Sequence, residues 1–79
     1  MLTPRKHLDL NTSLLRIASI MLKELHKRGV IEMMTLKQRV IRRVGNNGEL
    51  MFLPALNFLY LLGKVEYHAQ NDTLEYRAD

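Results

Sequence analysis

Apolar residues recur at helical spacing in the first third of the chain. Between residues 12 and 28, one side of a helical wheel is apolar and the other is charged or polar. The apolar side comprises Leu14, Leu15, Ile17, Ala18, Met21, Leu22 and Leu25. Ile20 is the exception because it lies among the charged positions, which makes it a candidate contact residue. The pattern predicts a first amphipathic helix that ends at Gly29.

A second helix is predicted from Thr35, because Thr35 and Gln38 have the spacing of a capping box. Its inner face carries Leu36, Val40, Ile41 and Val44. Gln38 and three arginines lie on its outer face, and Lys37 lies toward the inner side. Residues 45–48, Gly-Asn-Asn-Gly, predict a turn.

The third predicted helix, residues 49–62, is apolar almost all round and ends at Gly63. Pro54 is expected to limit where this helix starts, since proline is tolerated mainly in the first turn.

The rest of the chain predicts extended structure. Pro4 and the alternation of Leu8 and Leu10 indicate an extended arm over residues 1–10, and Val30-Ile31 a short strand. Residues 65–68 and 73–77 predict a hairpin that turns at residues 70–72. The order predicts a mainly helical α+β fold: a single winged helix-turn-helix domain over residues 1–79, with three helices and a C-terminal β-hairpin wing.

Charge is distributed unevenly along the chain. Residues 1–43 carry ten Lys or Arg and three Asp or Glu, a net charge of +7, whereas residues 44–79 carry two and five, a net charge of −3. The basic residues of the second helix could contact a nucleic-acid backbone or an acidic partner, or form only a solvated surface. The candidate contact residues are Lys37, Arg39, Arg42 and Arg43.

The third helix argues against reading of DNA bases. Base edges are recognised by hydrogen-bonding side chains, and this helix has no Lys or Arg. Two helices and a hairpin cannot cover an apolar helix on all sides, so part of it should remain for a partner. We predict that this uncovered arc comprises Leu50, Pro54, Asn57 and Leu61. Its occupant is a protein partner, a second copy of the chain, or the chain's own arm through Leu2, Leu8 and Leu10.

Catalytic and cofactor sites are not indicated. The chain has no cysteine, its three histidines are scattered, and its glycines do not form a phosphate loop. No histidine has a nucleophile or carboxylate partner at a useful spacing. We therefore expect a protein that is not an enzyme and needs no cofactor or metal. The start of the chain does not read as a signal peptide, and its longest apolar run is too short to span a membrane, so we expect a soluble cytoplasmic protein.

Two segments carry a family resemblance. They are the opening Met-Leu-Thr-Pro-Arg-Lys-His with the Ser-Leu-Leu at residues 13–15, and the stretch Ala-Leu-Asn-Phe-Leu-Tyr-Leu-Leu-Gly-Lys-Val at residues 55–65. Together they resemble the small middle component of bacterial ABC-three-component anti-phage defence systems, the group that includes Lamassu.

The resemblance implies a non-catalytic adaptor, encoded between an SMC-like ABC ATPase and an effector that is often a nuclease. Such a subunit bridges these two partners and helps to restrain or release the effector when foreign DNA is sensed. The alternative is a stand-alone winged-helix transcription regulator, dimeric through the third helix. An RNA-binding protein ranks behind both, since the chain lacks an exposed aromatic stacking platform.

Overall fold

A computed structural model describes the backbone of residues 4–78 and the side chains of residues 13–78. Its helices and strands follow in the order α1 (Pro4–Arg28), β1 (Val30–Glu32), α2 (Met33–Val44), α3 (Asn46–Leu61), β2 (Val65–His68) and β3 (Thr73–Tyr76). The three strands form one antiparallel sheet in the order β1-β3-β2. This arrangement confirms the predicted mainly helical α+β fold with a winged-helix-like topology.

The predicted hairpin is one part of this sheet. Val65 pairs with Tyr76 and His68 with Thr73, so β2 and β3 form the hairpin, while β1 pairs with the other edge of β3. The turn between β2 and β3 is stabilised by the hydroxyl of Tyr67, which donates a hydrogen bond to Oδ1 of Asp72 at 2.6 Å. The amide of Met33 donates to the carbonyl of Asp72 at 2.9 Å, which links the turn to the start of α2.

The start of α1 corrects one prediction. The extended arm predicted for residues 1–10 is wrong from Pro4 onward, because α1 begins there rather than near Thr12. Proline is well suited to the first position of a helix, where its missing N–H would have no partner in any case. An alternation of only two leucines is too short to distinguish a strand from a helix. Residues 1–3 lie outside the described part of the chain.

The start of α2 corrects a second prediction. Thr35 does not cap this helix: α2 begins at Met33, and Glu32 occupies the N-cap position without a side-chain hydrogen bond to the backbone. Instead, the hydroxyl of Thr35 donates to Oε1 of Glu32 at 3.2 Å. Because β1 runs directly into α2, strand pairing sets where this helix starts.

The predicted turn at residues 45–48 is wrong as well, since Gly45 alone connects α2 to α3. Gly45 has φ 80° and ψ −152°, a conformation that only glycine adopts readily. Pro54 lies inside α3 and does not limit its start. It is tolerated because its ring lies on the exposed side of the helix. Proline has no N–H, so the carbonyl of Leu50 lacks its usual i+4 donor.

The core lies where α3 packs against both α1 and α2 with the sheet at one end. Its largest fully buried side chains are Phe52, Ile17, Met21, Leu25, Leu36, Leu59, Leu74 and Val40. The helical-wheel prediction of which side chains face the core was wrong for two residues of α1. Leu15 is 53% exposed, whereas Ile20 is partly buried and packs against the core. The core-facing direction is centred on Ile17, Met21 and Leu25, which leaves Leu15 at its edge.

None of the helices in residues 4–78 combines the length and the apolarity that a bilayer crossing needs.

We expect Gly45→Ala to lower the free energy of unfolding by about 1–3 kcal/mol, because a Cβ is disfavoured at this φ and ψ. Nothing lies within 4 Å of the position that the Cβ would take, so the loss would report backbone strain alone. Urea denaturation measures it, with exposed Asn47→Ala in the next turn as the control. Equal stability of the two variants would contradict the one-residue connection.

The hairpin turn should weaken at high pH. The pKa of Tyr67 lies above its usual 10.0, first because its hydroxyl donates to the Asp72 carboxylate and then through partial burial and nearby negative charge. A raised pKa in the folded state means that this stabilisation is complete below pH 10 and is lost as the pH rises through the raised value. Denaturation of the wild type and of Asp72→Ala at pH 9 and 11 tests this, and the gap between them should narrow at pH 11.

Candidate functional site

The outer side of α3 is an exposed apolar surface. Leu50, Leu53 and Leu61 are 73%, 62% and 86% exposed, although the opposite side of the same helix is buried in the core. We call this surface the outer α3 face; it comprises Leu50, Leu53, Pro54, Asn57 and Leu61. The face exists because α3 is apolar on nearly all sides and its neighbours cover only one of them.

The four α3 residues singled out from the sequence are all exposed on this face. Leu53 was missed, although its position three residues after Leu50 and four before Asn57 is the signal that places it on the same stripe. Ile20 does not belong to the face, since it lies on α1 and is partly buried. The structure therefore brings together the α3 residues and leaves out the one on α1.

The side chains of Leu2, Leu8 and Leu10, which were considered as a cover for this face, lie outside the described residues. Leu8 and Leu10 belong to α1, and Leu2 lies outside the described residues. Leu50 and Leu61 remain the most exposed of the large apolar side chains in the described part of the chain. Among residues 13–78, the outer α3 face is open to solvent.

Few polar groups interrupt the outer α3 face, and no charged residue occurs between Leu50 and Gly63. The charged residue of α3 is the exposed Glu49, at the start of the helix beside this face. The polar groups of the face are the amide of Asn57 and the Leu50 carbonyl that Pro54 deprives of a donor. An apolar surface with few polar groups has the composition of the centre of a protein interface. It offers little to phosphates or base edges, which require donors and positive charge.

A second candidate surface lies between α1 and α2. Arg39, Arg42 and Arg43 line a cavity of about 320 Å³ together with Glu24, Thr35 and Gln38. A neighbouring cavity of about 300 Å³ is lined by Arg16, Ser19, Ile20, Lys23, Glu24 and Arg43. Because they share Glu24 and Arg43, we treat the two cavities as one surface, the basic groove.

Of the four basic residues predicted on α2, three line the basic groove and Lys37 lines neither of its cavities. The groove also contains Arg16 and Lys23 from α1, which the sequence did not single out. Their signal was the polar side of the first helix, but the helical wheel does not tell which neighbour that side meets.

Glu24 is the acidic residue of the basic groove. Its Oε1 lies 3.6 Å from Nε of Arg28 and 3.7 Å from Nη1 of Arg39. This oxygen is buried and accepts no hydrogen bond from the described residues. The carboxylate therefore holds two arginines by charge alone, without the hydrogen bonds that strengthen such a pair.

The outward side of the sheet is acidic. Directly paired residues share one side of a sheet, which places Glu32, Glu66 and Glu75 together with His68. Arg77 donates to Oε1 of Glu66 at 2.7 Å. This side therefore carries three carboxylates against two cations, Lys64 and the already paired Arg77, and its net charge is negative.

The ligand atoms of Glu66, His68 and Glu75 lie within 4.8 Å of one another, close enough to share a metal ion. Two of these side chains are already paired with each other, since Nε2 of His68 lies 2.8 Å from Oε1 of Glu75. Glu66 is engaged by Arg77. These contacts across the hairpin account for the cluster.

The exposure of the outer α3 face can be tested by stability. We expect Leu61→Asp to lower the free energy of unfolding by no more than about 1 kcal/mol, because the side chain is 86% exposed and the loss is limited to helix propensity and an acidic charge in the last turn of α3. Leu59→Ala, two residues away and 1% exposed, should cost about 2–5 kcal/mol. Urea denaturation followed by circular dichroism measures both. A large loss in Leu61→Asp would mean that this leucine is part of the core.

Comparison with known proteins adds one match. A family model, ABC-three component (ABC-3C) system Middle Component 8, matches residues 29–77. The match spans β1, α2, α3 and the hairpin, which is more than half of the chain. Searches of curated proteins and of solved structures gave no match. The resemblance to ABC-three-component middle components that was identified from the sequence is thereby confirmed, and the chain belongs to the Middle Component 8 family of ABC-three component systems.

Proposed function

We propose that this chain is a non-catalytic adaptor subunit of a cytoplasmic, Lamassu-type anti-phage defence complex. In this proposal it bridges an SMC-like ABC ATPase and an effector nuclease, and it binds a protein partner through the outer α3 face. The observation that carries the proposal is the exposure of Leu50, Leu53 and Leu61 in a chain whose family is named as one component of a multi-component system.

Leaving the outer α3 face in water costs free energy that a bound partner would recover. Burial of apolar surface contributes roughly 25 cal/mol per Å², so three leucines exposed by more than half represent several kcal/mol of unused contact energy. Contiguous apolar patches on soluble proteins commonly mark interaction sites. In a domain of 79 residues, where the stability margin is thin, such a surface is costly unless a partner covers it.

The alternative, a stand-alone winged-helix regulator of transcription, finds less support. The usual docking of this fold places the third helix in the major groove of DNA. Here that helix carries no Lys or Arg, and the outward side of the sheet carries three glutamates. Both surfaces that would approach DNA in such docking are therefore unsuited to it.

A second copy of the chain is the other candidate occupant of the outer α3 face. An uncharged apolar face opposes its own copy without charge repulsion. A self-associated chain would then present its basic grooves and wings to the other components. The size of the free protein in solution distinguishes this arrangement from a one-copy adaptor.

Affinity purification from the native host tests the proposal. We expect the tagged wild-type chain to recover an ABC ATPase and an effector, identified by mass spectrometry. Leu53→Asp combined with Leu61→Asp should reduce that recovery at least ten-fold, because two carboxylates would have to be buried against an apolar partner surface. The matched control is Leu15→Asp combined with Met34→Asp, which places two carboxylates on exposed apolar positions of α1 and α2 and should leave recovery unchanged.

Each result has one meaning. Full recovery of partners by a folded double variant would refute binding through the outer α3 face. Recovery of the wild-type chain alone, bound to one discrete DNA sequence, would favour the regulator. A wild-type dimer that the double variant converts to a monomer, with partner recovery retained, would assign the face to a second copy.

A further inference from the structure

The basic groove brings cations from two helices to one surface. Arg39, Arg42 and Arg43 come from α2, and Arg16 and Lys23 come from α1. We propose that this groove is a binding site for the phosphodiester backbone of double-stranded DNA, in which the wall formed by α1 is as necessary as the arginines of α2. The inference deepens the proposed function by assigning the DNA contact of the adaptor, and it does not depend on the outer α3 face.

The charges of the groove are mostly uncommitted. Four of the five cations that line the groove form no ion pair within the described part of the chain: Arg16, Lys23, Arg42 and Arg43. The fifth, Arg39, is paired with Glu24. Five cations against one carboxylate give the groove lining a net charge of about +4. Clustered like charges repel one another, so a polyanion that neutralises them gains both attraction and relief of that repulsion.

The remaining groove residues favour a backbone over a peptide or a single strand. A protein interface is built around apolar and aromatic anchors, and among residues 13–78 the only large apolar side chain that lines these cavities is Ile20, itself partly buried. Single-stranded nucleic acid is bound by stacking its bases on aromatic rings, and none of the aromatic residues in the described part of the chain lines the groove. Guanidinium groups pair with phosphate in a two-pronged geometry, which suits the four arginines.

The proposed DNA site is not the surface that winged-helix proteins usually apply to DNA. The surfaces that winged helices ordinarily present to DNA are here an α3 without Lys or Arg and an acidic wing. The unpaired positive charge lies instead at the junction of α1 and α2. Contacts to phosphates position a protein on DNA without reading its sequence, so the chain is expected to bind duplexes irrespective of sequence.

Glu24 lowers the positive charge of the basic groove. Its carboxylate lies at the boundary of the two cavities and attracts Arg28 and Arg39. It therefore weakens the field of the groove where a phosphate would bind. Replacing it with glutamine removes the negative charge with little change in shape.

The experiment is a fluorescence anisotropy titration of the full chain with a labelled 20-base-pair DNA duplex at several salt concentrations. Four or five neutralised phosphates correspond to a slope of log K against log salt of about −4. Arg16→Glu combined with Lys23→Glu should weaken binding at least ten-fold and flatten the slope. Glu24→Gln should strengthen binding by a few-fold.

The matched control is Lys37→Glu combined with Lys64→Glu, which makes the same change in net charge with residues outside both cavities. We expect this variant to bind the duplex within about three-fold of the wild type, because its cations lie away from the groove. Circular dichroism spectra of all variants show whether the fold is retained.

An equal loss of DNA affinity in the two double variants would contradict the proposed binding site, because the affinity would then depend only on the overall charge of the protein. Tighter binding of an acidic peptide such as polyglutamate than of the duplex would also overturn it and assign the groove to a protein. Equal binding of DNA and RNA duplexes would agree with backbone contact, whereas preference for single strands would contradict it. Partner recovery by the groove variants separates this result from the adaptor proposal, which predicts that recovery is unchanged.

Discussion

The close crossing of α2 and α3 is the constraint on which the rest of this structure depends. A Cβ at Gly48 would lie 2.8 Å from Cγ2 of Val44 and 3.1 Å from the carbonyl oxygen of Val40, so only glycine fits between the helices. Gly45 makes the reversal within one residue. Because α3 is held this tightly, its orientation is determined: Phe52 and Leu59 face inward, and the outer α3 face is directed to solvent.

That orientation divides the surface of a small domain into three chemically distinct parts. The outer α3 face is apolar and uncharged, the junction of α1 and α2 is basic, and the outward side of the sheet is acidic. The three surfaces are formed by different elements: α3, the facing sides of α1 and α2, and the sheet. In the proposed adaptor, this separation would let a protein and a nucleic-acid backbone be bound at the same time.

The sequence predicted the β2–β3 hairpin to within one residue, because alternation over four residues beside a polar turn has few other interpretations. It also identified four of the exposed residues of α3, though not Leu53, since a helix with no polar side must leave part of itself uncovered. It failed at the helix starts. Pro4, Thr35 and Pro54 are each compatible with more than one position in a helix, and only packing against neighbours selects among them.

The sequence by itself determined the mainly helical winged-helix-like class, the family, and the chemical character of each helix, because these follow from residue types and their spacing along the chain. The tertiary structure alone decided which helix faces meet. It placed Arg16 and Lys23 opposite the arginines of α2, separated Lys37 from them, and turned Ile20 toward the core. The physical reason is that a helical wheel defines directions relative to one axis, whereas a groove depends on the angle and distance between two axes.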